Sequence, residues 1–136
     1  MLARLVFVLL LLWISPLWAS TVTLQWDAPT TNADGTLLTD LAGYRLYMAN
    51  QVIPDDKGTA ELAVEVAAPT ATPVLGEVAT AVLLLTPANG WPPHTTVFFR
   101  VLAFDIIGNE SELSNEVSMD VLPPGKVIIV IESVTP

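Results

Sequence analysis

Residues 95–121, TTVFFRVLAFDIIGNESELSNEVSMDV, decide the architecture of this chain. Val97, Phe99, Val101 and Ala103 fall on alternate positions, and side chains of a strand alternate between its faces, so these four share one face. Gly108-Asn109 supplies the positive-φ chemistry of a tight turn. Beyond it, Val117, Met119 and Val121 alternate again. The stretch predicts two strands joined by a polar turn, with one apolar side facing a core. It carries no catalytic motif.

Working outward, the same period recurs. Val22, Leu24 and Trp26 alternate in VTLQWDAP, and Tyr44, Leu46 and Met48 alternate in LAGYRLYM. Residues 79–85 form a largely apolar run that fits a further strand. Asp27-Ala28-Pro29, Asn32-Ala33-Asp34-Gly35 and Asp55-Asp56-Lys57-Gly58 are turn signals. Residues 86–93, TPANGWPP, read as a corner. Residues 67–76 carry two prolines and suit a loop or an edge strand. No long segment has helical periodicity and no repeat is present. The pattern predicts an all-β sandwich or barrel.

The chain has 136 residues, no Cys, and His94 as its single histidine. Disulfides, thiol nucleophiles and multi-histidine metal sites are therefore excluded. Residues 1–19 place Arg4 before an apolar run from Leu5 to Ile14, then Ser15-Pro16 and the small residue Ala19. This is the layout of a secretory signal peptide, and the expected location is secreted or periplasmic. Leu17 fits poorly at the −3 position, so an uncleaved anchor is the alternative, and membrane contact arises only in that case. The formal charge of −9 becomes about −10 once Arg4 is removed. Such an acidic chain repels nucleic acid.

Three segments carry a resemblance to the fibronectin type III domain family: VTLQWDAP with Trp26, LAGYRLYM with Tyr44 and Leu46, and residues 91–117, WPPHTTVFFRVLAFDIIGNESELSNEV, with Phe99 and Val101. These five residues are the expected core signature. The similarity covers about residues 21–122, and residues 52–78 match nothing firmly. It implies an antiparallel sandwich of about seven strands, with the first segment as strand B, the second as strand C, and the third spanning strands F and G. The chain departs from the family twice. Val97 stands where the family's corner Tyr is expected. Strand B follows the leader almost at once, leaving no room for a strand A. The resulting organisation is a leader over 1–19, a domain over 20–122 and an extension over 123–136 with one strand.

That strand is Val127, Ile128, Ile129, Val130 and Ile131, an unbroken β-branched run with high strand propensity. Three placements are open: folding back in cis over an edge, insertion into a neighbouring copy as a homo-oligomer contact, or the start of a further domain.

Several residues are candidates for recognition. Phe98, Leu102 and Phe104 lie on the outward face of their strand beside Arg100, and Tyr47 faces the same way, so the four form an apolar stripe that is either a binding patch or covered by the rest of the chain. Trp91 could stack on a sugar or pack in the corner. Asp55-Asp56 and the acids around Gly108 read as loop residues, because neighbouring side chains point apart and calcium-loop spacing is absent. His94 reads as a turn residue. The expectation is a non-catalytic module without cofactor or metal. It would contact a protein or a cell-surface polymer through a sheet edge or the stripe. The alternative is a carbohydrate-binding accessory module using Trp91 and Tyr47.

Overall fold

The computed structural model describes residues 19–121. Six strands follow in order: β1 (Ser20–Asp27), β2 (Leu41–Ala49), β3 (Glu61–Ala67), β4 (Val78–Leu85), β5 (Thr95–Asp105) and β6 (Val117–Val121). A short 3₁₀ turn, Pro87–Asn89, interrupts the corner between β4 and β5. The strands form two antiparallel sheets, β1-β4 and β3-β2-β5-β6, packed as an all-β sandwich.

Alternation explains the packing. Val22 from β1, Ala81 and Leu85 from β4, Leu46 from β2, Val97 and Phe99 from β5 and Val121 from β6 meet in one cluster, with Trp91 from the corner. A second cluster at the opposite end joins Leu38, Leu41, Tyr44 and Ala79. Trp26 bridges the two clusters and meets Tyr44 edge to face, with ring centroids 5.3 Å apart. Of the expected core residues, Tyr44, Leu46 and Phe99 are buried, and Trp26 and Val101 pack partly buried against the clusters. Val97, at the place of the expected corner Tyr, is fully buried.

The corner is held by other means. The Thr86 hydroxyl accepts from the Asn89 N–H, the Asn89 side chain accepts from the Thr86 N–H, and Gly90 takes φ 92°. The Asn89 side-chain amide also donates to the Leu84 carbonyl at 2.8 Å.

Two elements differ from the sequence reading. β3 occupies part of residues 52–78, which match nothing firmly in the family resemblance and for which the sequence reading offers no strand beyond a loop or edge strand at 67–76. Its alternation is weak because it is an edge strand with Glu61, Leu62 and Glu65 exposed, and its pairing with β2 shifts register between Leu46 and Tyr47. The second strand of the opening stretch is shorter than the alternation suggests. After the turn, Glu110 makes a single bridge to Phe104, residues 111–116 form no strand, and the regular ladder with β5 resumes only at β6.

Gly43 is the position where β2 tolerates no side chain. A Cβ there would lie 2.5 Å from the Val66 carbonyl oxygen and 3.1 Å from the Phe104 ring. Overpacking of this kind costs about 1–3 kcal/mol, so Gly43→Ala should lower the urea midpoint by a corresponding amount at unchanged m-value.

Candidate binding surface

β1 is bonded to β4 along one edge. Among the described residues no strand pairs with its other edge. The opening beside that edge is floored by Leu24, Leu46, Phe99, Val101 and Val117, with Ser114 and Asn115 on its rim. It continues into a cleft of about 440 Å³ that Trp26, Tyr44 and Asp27 share with Ser111, Glu112 and Ser114. The open seam therefore runs between β1 and residues 111–117, on the side where a third strand would complete the smaller sheet.

Two hydrogen-bond donors are stranded here. Trp26 Nε1 and Tyr44 Oη are buried and have no partner among the described residues. Burial, reinforced by the Glu77 charge, pushes the Tyr44 phenol above its usual range and keeps it a donor. Buried donors without acceptors are costly, at about 1–3 kcal/mol each, so this seam is suited to a group that brings acceptor oxygens.

The far wall of the seam has its own construction. Ser111 and Ser114 each bond one β5 residue twice. The Ser111 N–H donates to the Ala103 carbonyl while its Oγ accepts from the Ala103 N–H. Ser114 does the same with Val101. Hydroxyls take the place of backbone carbonyls, so residues 111–116 satisfy β5 without forming a strand. The Ser-x-x-Ser spacing in SELS is the sequence signal for this, and it went unused in the sequence reading.

The outward stripe is arranged differently from an open patch. Leu102 is 2 % exposed. Arg45 lies over the Phe104 ring, 4.1 Å from its centroid, and Lys57 lies over Tyr47 at 5.1 Å. Both cations bond Glu110, at 2.7 Å from Arg45 and 2.6 Å from Lys57, and Arg45 also reaches Glu65 at 3.1 Å. Phe98 is half-buried between Ala49 and Ser118. The stripe is roofed by this lattice, and Leu102 has no surface to offer a partner.

The lattice is tied to pH. The hydrogen bond from Lys57 comes first in holding the Glu110 carboxyl below its usual range, burial opposes it, and Arg45 adds to the lowering. A depressed carboxylate stabilises the fold fully above its unfolded value and loses that contribution as pH falls through the lower folded value. Urea midpoints should therefore fall between about pH 5 and pH 3, and Glu110→Gln should remove part of that slope.

The remaining candidates are structural. Trp91 is 8 % exposed inside the first core cluster, so the sugar-stacking platform is absent. His94 takes φ 64° and its N–H donates to the Val121 carbonyl, which is turn geometry. Asp55 pairs with Arg100, and Asp56 accepts from the Gly58 N–H. Asp105 accepts from the backbone N–H groups of Ile107 and Asn109 and closes the β5 turn. Among the described residues no group of three or more acidic or histidine side chains could hold a metal, and no helix is long and apolar enough to cross a membrane. Ile106 and Ile107 at the turn tip are largely exposed. The run from Val127 to Ile131 lies outside the described residues, as do residues 1–18.

The class that fold and surface define is an all-β sandwich in which, among the described residues, one edge of β1 has no strand partner. Comparison with known proteins finds no matching family model, no similar curated protein and no similar solved structure.

Proposed function

We propose that this chain is an exported, non-catalytic binding or assembly module with a fibronectin type III-like fold, and that it engages another protein by strand addition along the free edge of β1. The fold assignment rests on the three motif segments and on their placement. The strand B segment lies in one sheet, while the strand C, F and G segments are neighbours in the other, which is the sandwich layout of that class. Export rests on the leader-like residues 1–19.

The single observation that carries the function is the seam. A strand edge without a partner among the described residues, beside an apolar floor, with Trp26 Nε1 and Tyr44 Oη lacking acceptors there, fits an extended peptide whose carbonyls complete the ladder. Edges of this kind are ordinarily covered or blunted by charge, and the outward side chains of β1 are Thr21, Thr23, Gln25 and Asp27, with a single charge at its end.

The test is capture from native envelope or medium with the purified chain, followed by hydrogen exchange on the isolated complex. Slowed exchange concentrated in β1 is the expected result. Protection confined to residues 105–110 or to the Tyr47–Phe104 side, with β1 unaffected, would refute the edge. Export predicts Ser20 as the N-terminal residue of the chain recovered outside the cytoplasm, read by Edman or mass-spectrometric sequencing; retention of Met1 there would refute cleavage.

A further inference from the structure

We propose that the loop end of the sandwich is a second recognition surface, built for a protein whose apolar contact is ringed by Lys and Arg. It is separate from the β1 edge and does not depend on it.

The ladders fix which loops meet there. Asp27 pairs with Val78, Gly43 with Ala67, and Leu41 with Asp105. The cluster of Leu38, Leu41, Tyr44 and Ala79 joins the two sheets at this end. Residues 28–40, 68–77 and 106–110 therefore leave the sheets together. Backbone bonds tie them to one another. The Ile106 N–H donates to the Asp40 carbonyl, the Leu41 N–H to the Ala71 carbonyl, and the Ala28 N–H to the Glu77 carbonyl.

The side chains at the tips are the anomaly. Leu37, Val74, Leu75, Ile106 and Ile107 are all more than half exposed, and Leu75 is 95 % exposed. At the opposite end, residues 50–60 and 86–94 expose only Val52 among their large aliphatic and aromatic side chains. Loop tips are ordinarily built from Gly, Asn, Asp, Ser and Pro, so five aliphatics gathered at one end mark a contact surface.

Each tip is also held by a carboxylate. Asp105 accepts from the Ile107 and Asn109 N–H groups at 3.1 and 2.8 Å. Glu77 accepts from the Val74 N–H at 3.2 Å. Asp34 accepts from the Thr36 N–H at 3.0 Å and from its hydroxyl at 2.6 Å, just before Leu37. Tips ordered in advance bind without the entropic cost of immobilising a loop.

Charge names the occupant. Residues 28–40, 68–77 and 106–112 contain Asp34, Asp40, Glu77, Glu110 and Glu112 and no Lys, Arg or His. Glu110 is answered by Arg45 and Lys57, and none of the other four pairs with a cation among the described residues. A second copy presents the same acids and is repelled, as is an anionic membrane. A partner that flanks aliphatic or aromatic side chains with Lys and Arg meets both features, and the charges steer its approach.

The experiment is selection of a random peptide library on the purified full chain, followed by fluorescence titration of the recovered peptides. Recovered sequences should combine aliphatic or aromatic residues with Lys and Arg. Binding should weaken at least about tenfold in the combined Leu75→Ser, Ile106→Ser and Ile107→Ser variant. Its urea midpoint should match that of the parent, because all three side chains are exposed. Binding should also fall about tenfold as salt rises from about 0.05 M to about 0.5 M. Glu112→Lys, an exposed change that leaves every tip intact, should weaken it about threefold or more. Recovery of acidic or uncharged peptides, or of none, overturns the proposal. So does binding indifferent to both variants. Retention of the chain on phosphatidylcholine vesicles through the same three side chains, with no basic peptide recovered, overturns it in favour of a membrane. Peptides that slow exchange in β1 and bind the triple variant unchanged would remove this surface and leave the edge standing.

Discussion

Trp91→Ala should cost about 3–5 kcal/mol, the range for emptying a buried Trp site. Trp91 is buried in the core cluster that holds Val22 and Leu85 of one sheet and Val97 and Val121 of the other, at the end where the corner 86–94 crosses between the sheets. The Trp91 backbone N–H also donates to the Thr86 carbonyl at 3.0 Å, which fixes the main chain just after the left-handed Gly90. A family-type corner would tie itself down with a tyrosine hydroxyl. Here Val97 has no hydroxyl, and the work of the missing bond falls to the Thr86–Asn89 capping pair and the indole volume. Guanidinium unfolding followed by circular dichroism measures the loss. A cost below about 1 kcal/mol would mean that the site collapses around the gap and that the corner is held by the capping pair alone.

The corner also shows what the sequence could and could not disclose. Trp91 in TPANGWPP was open to two readings, a sugar platform or a packed corner. Composition cannot separate them, because both need the same residue in the same turn. Only the packing of Leu85 and Val121 against the ring decides. By contrast, the inward sets of β1, β2 and β5 were legible from alternation alone, since a period of two leaves one register that buries Trp26, Leu46 and Phe99 together. β3 was not legible, because an edge strand is exposed on both rims and a register shift at Leu46/Tyr47 blurs its period.

The candidate site was half legible. The sequence expects no strand A before β1, and among the described residues no strand pairs with the outer edge of β1. The orphaned Trp26 and Tyr44 donors were not legible, because whether a buried polar atom finds a partner depends on neighbours brought together by the fold. The outward stripe was open to two readings, a binding patch or a face covered by the rest of the chain. Phe98, Leu102 and Phe104 alternate as an exposed apolar face would, but the loops that cover them are distant in sequence. Their attachment runs through Arg100, which the stripe itself contains.

Arg100→Met should therefore detach two segments at once and cost about 2–4 kcal/mol through the carbonyls it leaves unpaired. The guanidinium side chain is 13 % exposed. Its Nε donates to the Ser114 carbonyl at 2.7 Å and its Nη1 to the Ile53 carbonyl at 2.9 Å. Nη2 reaches the Leu113 carbonyl at 3.5 Å. Ile53 and residue Glu116 are joined directly as well, by an N–H to carboxylate bond of 2.7 Å. The fork thus ties the β2–β3 connection and the 111–116 segment to β5, and the second of these is the far wall of the seam. The Asp55 pair adds little, because Asp55 is almost fully exposed and such ion pairs contribute about 0–1 kcal/mol. Three measurements follow from this division. Asp55→Ala should move the urea midpoint only slightly, and the Arg100→Met loss should be nearly independent of salt, since the main acceptors are carbonyls. Arg100→Lys should recover only part of the loss, because an ammonium cannot reproduce the planar fork. Hydrogen exchange should rise at residues 52–56 and 111–116 together, with β2 amides unchanged. If the cost instead vanishes at high salt, or if Asp55→Ala reproduces it, the anchor is the ion pair and the carbonyl fork is incidental.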